Sequence, residues 1–442
     1  MNSSSALPDN RSVWRIAAPM ILSNISVPLL GMVDTGVTGH LEDASYLGAV
    51  AVGATIFAFL YMGVNFLRMG TTGIAAQRYG ANDFDGIRVA LGQALIVALA
   101  IATALILLRA PIGALALSLI GPDARVAGFA EQYFSIRIWS APATLASYAL
   151  IGWFLGLQNA RVPLIIVLVT NSTNIVLDLV LVIVVGMRVD GVALASVIAE
   201  YAGIAVGLAF VCRELGRHKG HWSVSKLTTL REYTAYFSVS GNLFVRTMAL
   251  AFTIAFITAQ GARLGGLILA ANAVLMNLQH LLSFALDGFA HAAEALVGKA
   301  VGERNREALN RSVALALRWS LIVAAGFSVF FAIAGKWIIA MLTDLPDIRV
   351  TSARYLPWLI LSPLVAVWSY LYDGVFVGAT LAKEMRDIML ISAFVVFVPA
   401  WYALQSYGND GLWLAFMCFL ASRGIGMHVF YRRRLVAGPK NA

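Results

Sequence analysis

Residues 14–41 read WRIAAPMILSNISVPLLGMVDTGVTGHL. It is an apolar run with one carboxylate, Asp34, and no Lys or Arg within ten positions of it. About 20 consecutive apolar residues suffice to cross a bilayer as a helix. A carboxylate inside such a span costs at least about 2.5 kcal/mol, so it needs a partner or a purpose. The stretch therefore raises the fold and the function together.

Hydrophobic residues make up 60% of the 442-residue chain and charged residues 12%, with a mean hydropathy of +0.80. Soluble domains carry about 25% charged residues. Apolar runs of spanning length recur at 15–37, 46–69, 89–109, 133–156, 163–186, 191–212, 236–258, 266–292, 313–334, 354–378, 388–405 and 411–431. They predict an all-α polytopic membrane protein with twelve transmembrane helices, and no polar stretch is long enough for a soluble domain. Pro19, Asn24, Asp34 and the length of the first run argue for a span rather than a signal peptide.

The net charge of +9 would suggest a nucleic-acid partner in a soluble chain. Here the basic residues sort by side: 21 fall on the side of both termini and 8 on the other, Arg137 being counted with the eight. The positive-inside rule then puts both termini in the cytoplasm of a plasma (inner) membrane, with lipid as the neighbour and no nucleic acid. Cys212 and Cys418 offer neither a disulfide framework nor metal-ligand spacing.

The two halves align with each other at an offset of 220 to 222. LGAVAVGATIFAFLYMGVNF from Leu47 matches LILAANAVLMNLQHLLSFAL from Leu267. YGANDFDG meets VGERNREA through Gly80 and Gly302, Pro142 meets Pro363, and DGVALA from Asp190 meets DGLWLA from Asp410. This divides the chain into a six-span lobe, 1–212, a basic cytoplasmic linker, 213–235, and a second six-span lobe in the same orientation, 236–442. Parallel repeats of this kind recur in transporters that rock two halves about a central site.

WRIAAPMILSNISVPLLGMVDTGVTGHL, GWFLGLQNARVP from Gly152, TNIVLDLVLV from Thr173, VIAEYA from Val197, and NAVLM with ALDGFA in the eighth span resemble the DinF branch of the multidrug and toxic compound extrusion (MATE) family. The similarity runs from about Trp14 to Arg433. It implies a V-shaped fold of two pseudo-symmetric six-helix lobes. It also implies efflux of cationic or amphipathic compounds by antiport with H⁺ or Na⁺, with no enzyme activity and no cofactor, in a protein expected to be a monomer.

The acids within the spans are Asp34, Asp178, Glu200, Asp287, Glu294 and Asp373. Asp34 lies roughly 28 Å along the first span and Asp178 roughly 22 Å along the fifth, both running outward. Asn174 is one turn before Asp178, and Ser196 lies five residues into the sixth span. These four share the outer half of the first lobe, with no base in spans 1, 5 or 6 at that depth. Oxygen-only ligands suit Na⁺, and the same acids can hold a proton because burial and like charge both favour the neutral carboxyl. The resemblance implies the same coupling-ion assignment for Asp34, Asn174, Asp178 and Ser196, although the family often has threonine where Ser196 stands. At the repeat offset Asp34 corresponds to Phe256 and Asp178 to Pro399, so a single site in the first lobe is expected.

In the second lobe Arg246, Asp287 and Asp373 are expected to form an ion-pair cluster, with a role in charged-substrate binding or gating as the alternative. Some branches of the family carry an acid in the seventh span, where this chain has Arg246. Arg423 is a candidate partner for Glu200, while Arg68 and Glu294 sit near helix ends where side chains can snorkel. His280 and His291 have no further ligand at helical spacing, so no metal is expected beyond Na⁺ at Asp34 and Asp178. Methionines such as Met20 and Met62, with Phe57, Tyr61 and Tyr148, suit an adaptable apolar cavity. Pro19 and Pro28 would let the first span bend. A flippase of lipid-linked precursors is the alternative function; the lone candidate Arg246 argues against the cationic cavity it would need. A membrane enzyme is disfavoured, because no metalloprotease, hydrolase or P-loop motif occurs. With no ATP-binding motif, an ion gradient is the expected energy source.

Overall fold

The computed structural model describes residues 7–39 and 43–436; within these, the side chains at 29, 32, 34, 35, 39, 44, 235 and 436 are not described. No strand occurs among the described residues. The chain forms α1 (Asn10–Gly39), α2 (Ser45–Gly80, notched at Asn65), α3 (Phe84–Leu107), α4 (Ala124–Gly156), α5 (Arg161–Val184) and α6 (Val189–Arg217). Then follow α7 (Leu230–Arg263), α8 (Gly266–Gly302), α9 (Arg306–Leu342), α10 (Pro346–Gly378), α11 (382–404) and α12 (Gly408–Phe430). Helices α2–α10 each hold 24–37 residues, roughly 36–55 Å at 1.5 Å per residue. That exceeds the hydrocarbon thickness of about 30 Å, so the helices cross the membrane and project beyond it.

The last apolar stretch, Ala382–Leu435, is 54 residues long and splits into two crossings. A 3₁₀ turn at Gln405–Tyr407 and Gly408 at φ +58° reverse the chain between them. Together with α1, the twelve expected crossings are present. Arg137 differs from its sequence placement: it lies inside α4 rather than in the loop before it. A helix of 33 residues, Ala124–Gly156, extends the fourth crossing by nine residues upstream of the apolar window. The first helix runs unbroken through Pro19 and Pro28.

Two compact units divide the chain between Ile21 and Leu22, inside α1, and again between Phe237 and Ser238. The unit 22–237 is filled by Trp153, Phe154, Leu150 and Ile166, with the Trp153 indole donating to the Ile87 carbonyl at 3.0 Å. The unit holding 238–436 packs Phe331, Met389, Phe397, Trp413 and Phe419. Within it Asn272 donates to Asn409 Oδ1 at 2.7 Å and accepts from Asn409 at 2.9 Å and from the Trp413 indole at 3.0 Å. This closes a buried amide pair that would be costly if left unmet.

The repeat seen in sequence is reproduced at the level of single residues. Four non-glycine residues among those described have positive φ: Asn82 at 53° and Arg304 at 54°, Gln158 at 59° and Thr380 at 55°. Each pair is 222 positions apart. In each case the residue ends a helix in the left-handed conformation, and the following N–H closes a wide turn, as in Asp83 N to Arg78 O and Asn305 N to Ala300 O, both 2.9 Å. Asp83 then accepts from Gly86 N at 2.8 Å, and Asn305 from Ala308 N at 3.0 Å, as matched helix caps.

Candidate coupling-ion site

The acids of the first half sit on helices whose polar residues hold one another. On α5, Asn171, Asn174 and Asp178 follow at three- and four-residue spacing, and so lie on one face. All three are buried; Asp178 is 0% exposed and Asn174 2%. Asn174 Nδ2 donates to Ser196 Oγ on α6 at 3.2 Å, and Ser196 is 6% exposed. Asn171 Nδ2 reaches across to α1, donating to Ser26 O at 3.2 Å and to Ser26 Oγ at 3.0 Å. The side chain of Asp34, two turns beyond Ser26 on α1, lies outside the described residues. Three of the four expected residues are therefore located, and two of them, Asn174 and Ser196, are in contact.

Immediately after Asp178 the helix widens into a π turn, Leu179–Val184, which ends with Val185 N donating to Val180 O at 2.9 Å. Such turns are rare and tend to occur at functional positions. Carboxylate, amide and hydroxyl oxygens without a basic neighbour on α5 form a donor set suited to a hard monovalent cation or a proton.

In the second half, Asp373 on α10 is the centre of the polar cluster. Its Oδ2 accepts from Arg246 Nη2 on α7 and from Arg423 Nη2 on α12, the latter at 2.8 Å. The side chains of the two arginines are 8% and 3% exposed and that of Asp373 14%. Asp287 on α8 adds a favourable electrostatic interaction with Arg246, so two cations meet two anions. The expected grouping of Arg246, Asp287 and Asp373 is present, and Arg423 joins it.

Arg423 thus does not pair with Glu200. Each guanidinium follows its own helix face, and that of α12 at Arg423 is turned to α10. Glu200, one turn beyond Ser196 on α6, interacts instead with Arg137 and Thr144 of α4. Close by, Tyr61 and Ser140 share a 3.2 Å hydrogen bond, and the Tyr61 and Tyr148 rings meet edge to face at 6.4 Å. Glu294 also departs from its expected position: it is 2% exposed and contacts His291 Nδ1 at 3.2 Å, so it is buried rather than snorkelling. Sequence reading overlooked Arg137 as an intramembrane cation; its own clue was an arginine only four residues into an apolar window.

The MatE family model matches residues 19–180 and 243–402, one match in each half. The chain is 45% identical over 424 residues to DNA damage-inducible protein F of Escherichia coli K12, covering 96% of this chain and 92% of that protein. It is 24% identical over 432 residues to multidrug and toxin extrusion protein 1 of Oryctolagus cuniculus, covering 94% and 73%. Among solved structures, a MATE in the bent conformation shares the fold with a TM-score of 0.88 at 18% identity, over 98% of this chain and 97% of that one. On twelve membrane helices in two repeated halves and these matches, the chain belongs to the MATE family of membrane transporters and is not an enzyme.

Proposed function

We propose that the protein is a secondary multidrug efflux transporter that exports cationic or amphipathic compounds by antiport with H⁺ or Na⁺, the coupling ion being bound by Asp34, Asn174, Asp178 and Ser196. The observation that carries this reading is the contact of Asn174 with Ser196 one turn from Asp178, a carboxyl with no exposure in an apolar bundle. A charge there is expensive unless a cation or proton neutralises it. The names of the relatives point the same way, since one is a multidrug and toxin extrusion protein.

In this mechanism, binding of the ion at Asp178 and Asp34 neutralises the carboxylate charge within the apolar span. It changes how α1 packs on α5 through the Ser26–Asn171 link, and substrate leaves the first lobe. The working unit is a monomer in the plasma (inner) membrane with both termini cytoplasmic, built of lobes 1–212 and 236–442 joined by 213–235. The flippase reading is less well supported, because Arg246 and Arg423 are neutralised by Asp373 and Asp287 rather than offered to a pyrophosphate.

The test is efflux of a fluorescent organic cation from proteoliposomes under a pH gradient or a Na⁺ gradient imposed separately. Asp34→Asn and Asp178→Asn should each abolish gradient-driven movement in folded protein. Full activity in both variants sinks the assignment.

A further inference from the structure

The segment joining the two halves is strapped along one face of α3. His221 N–H donates to Asp85 Oδ1 at 2.6 Å. Arg88, 6% exposed, donates through Nη2 to Leu215 O at 2.8 Å and His218 O at 2.7 Å, the carbonyls left over where α6 ends. Gln93 Nε2 donates to Lys226 O and Glu232 O, both at 3.3 Å. Between these contacts, Gly92 leaves room for Trp222 and Leu227; a Cβ there would meet Leu227 Cδ2 at 2.7 Å and Trp222 Cζ3 at 3.2 Å. Asp85, Arg88, Gly92 and Gln93 are spaced as one helical stripe. The position equivalent to Arg88 in the second half is Asn310, which accepts from Tyr431 at 3.0 Å and carries no charge.

Where the strap leaves α6 there is a cavity of about 490 Å³ lined by Asp85, Arg88, Lys219 and His221, with Gly216 and Gly220 contributing backbone. The Gly220 backbone packs closely against the elbow, since a Cβ would lie 2.6 Å from Arg88 Nη1 and 2.9 Å from Asp85 Oδ1. Two membrane helices end and begin here, so the segment lies at the membrane surface. Its apolar side chains remain uncovered: Trp222 is 46% exposed, Val224 67% and Leu230 77%. The same stretch, 213–235, carries five Lys or Arg against two Glu. Exposed Trp and aliphatic side chains beside basic ones are the composition of an interfacial anchor. Basic cavities at helix ends suit acidic lipid headgroups.

We propose that this elbow binds the phosphate headgroup of an anionic phospholipid, with Lys219 and His221 at the phosphate under the field of Arg88, while Trp222, Val224 and Leu230 sit at the headgroup boundary. Asp85 is occupied by the His221 N–H, which limits its repulsion of the ligand. The site goes beyond ion coupling and does not depend on it.

The test is thermal unfolding of the purified protein in detergent, titrated with short-chain phosphatidylglycerol or with phosphatidylcholine of the same chains. Phosphatidylglycerol should raise the midpoint saturably and phosphatidylcholine should not. Lys219→Gln should weaken the apparent affinity about fivefold, the ratio equivalent to about 1 kcal/mol for one basic residue near the surface. Lys219→Gln with His221→Gln should weaken it further. Both side chains are exposed, and the strap is tied through the His221 backbone N–H, its ring standing 4.0 Å from Asp85 and 96% exposed, so folding is expected to be preserved; Lys336→Gln, exposed elsewhere, serves as the control. Equal responses to the two lipids, or a double variant that responds like the wild type, overturns the proposal. So does a full effect from inorganic phosphate at the same concentration, which would make this a site for soluble anions.

Discussion

Gly374 on α10 lies so close to the carbonyl oxygen of Ala290 on α8 that no side chain fits between them. One turn on, Gly378 stands in the same relation to Glu294 O. Both contacts recur 222 residues earlier, where Gly152 meets Arg68 O and Gly156 meets Thr72 O at 2.9 Å from an added Cβ. Each half is thus clamped by a Gly-x-x-x-Gly face of its fourth helix against its second, the close approach that membrane helices use in place of a hydrophobic driving force.

Gly374→Ala and Gly152→Ala should each destabilise the protein, by about 1–3 kcal/mol if the helices must part. Gly326, in α9, has nothing within 4 Å of an added Cβ. Gly326→Ala should therefore be neutral or stabilising, by up to about 1 kcal/mol, from helix propensity. The measurement is the unfolding midpoint in detergent. A Gly374→Ala protein that melts with Gly326→Ala would mean the clamp is not tight.

Asp373 is the acceptor for two buried guanidiniums, so removing its charge should hurt more than removing either arginine. Asp373→Asn leaves Asp287 as the one anion of the cluster against Arg246 and Arg423, with a cost of about 3–5 kcal/mol expected for the buried charge left uncompensated. Arg423→Gln keeps the Arg246–Asp373 pair and should cost less. Asp373→Asn combined with Arg423→Gln should recover part of the loss, because it also removes a like-charge contact. Chemical or thermal unfolding of the three proteins ranks them. Equal stability of Asp373→Asn and wild type is the outcome that rules out a structural ion pair.

The crossings and the common face of Asn174 and Asp178 could be read from the chain because each depends on local spacing, and the repeat because whole stretches match at one offset. Apolar length gives a crossing, and Asn174 with Asp178 share a face at any tilt of α5. Partner choice across helices was not legible in this way. Arg423 and Glu200 are each the one Asp, Glu, Lys or Arg of their apolar run, 411–431 and 191–212, and only the packing of α12 against α10 assigns Arg423 to Asp373. Arg137 was hidden for a different reason: at the fifth residue of the 133–156 run it was counted with the preceding loop, whereas the helix itself begins at Ala124 and carries Arg137 well inside. The glycine clamps were present in the 222-residue alignment, but their role depends on which backbone approaches, and that is a property of packing.

The contact between Asn174 and Ser196 separates a structural role from a coupling role by magnitude. A hydrogen bond between membrane helices is worth about 0.6 kcal/mol on average and seldom more than about 1.7. Ser196→Ala removes the acceptor while leaving α5 and α6 packed through their apolar contacts, so folded yield should barely change. If the hydroxyl also ligates the coupling ion, half-saturation by Na⁺ or H⁺ should need about a tenfold higher ion concentration, equivalent to about 1.4 kcal/mol. Ser196→Thr, which keeps the hydroxyl, should restore wild-type half-saturation, and Asp178→Asn should lose ion dependence altogether. The measurement is initial efflux rate against ion concentration in proteoliposomes of matched protein content. A Ser196→Ala protein with unchanged half-saturation would reduce this contact to a link between two helices, leaving the ion to the carboxylates alone.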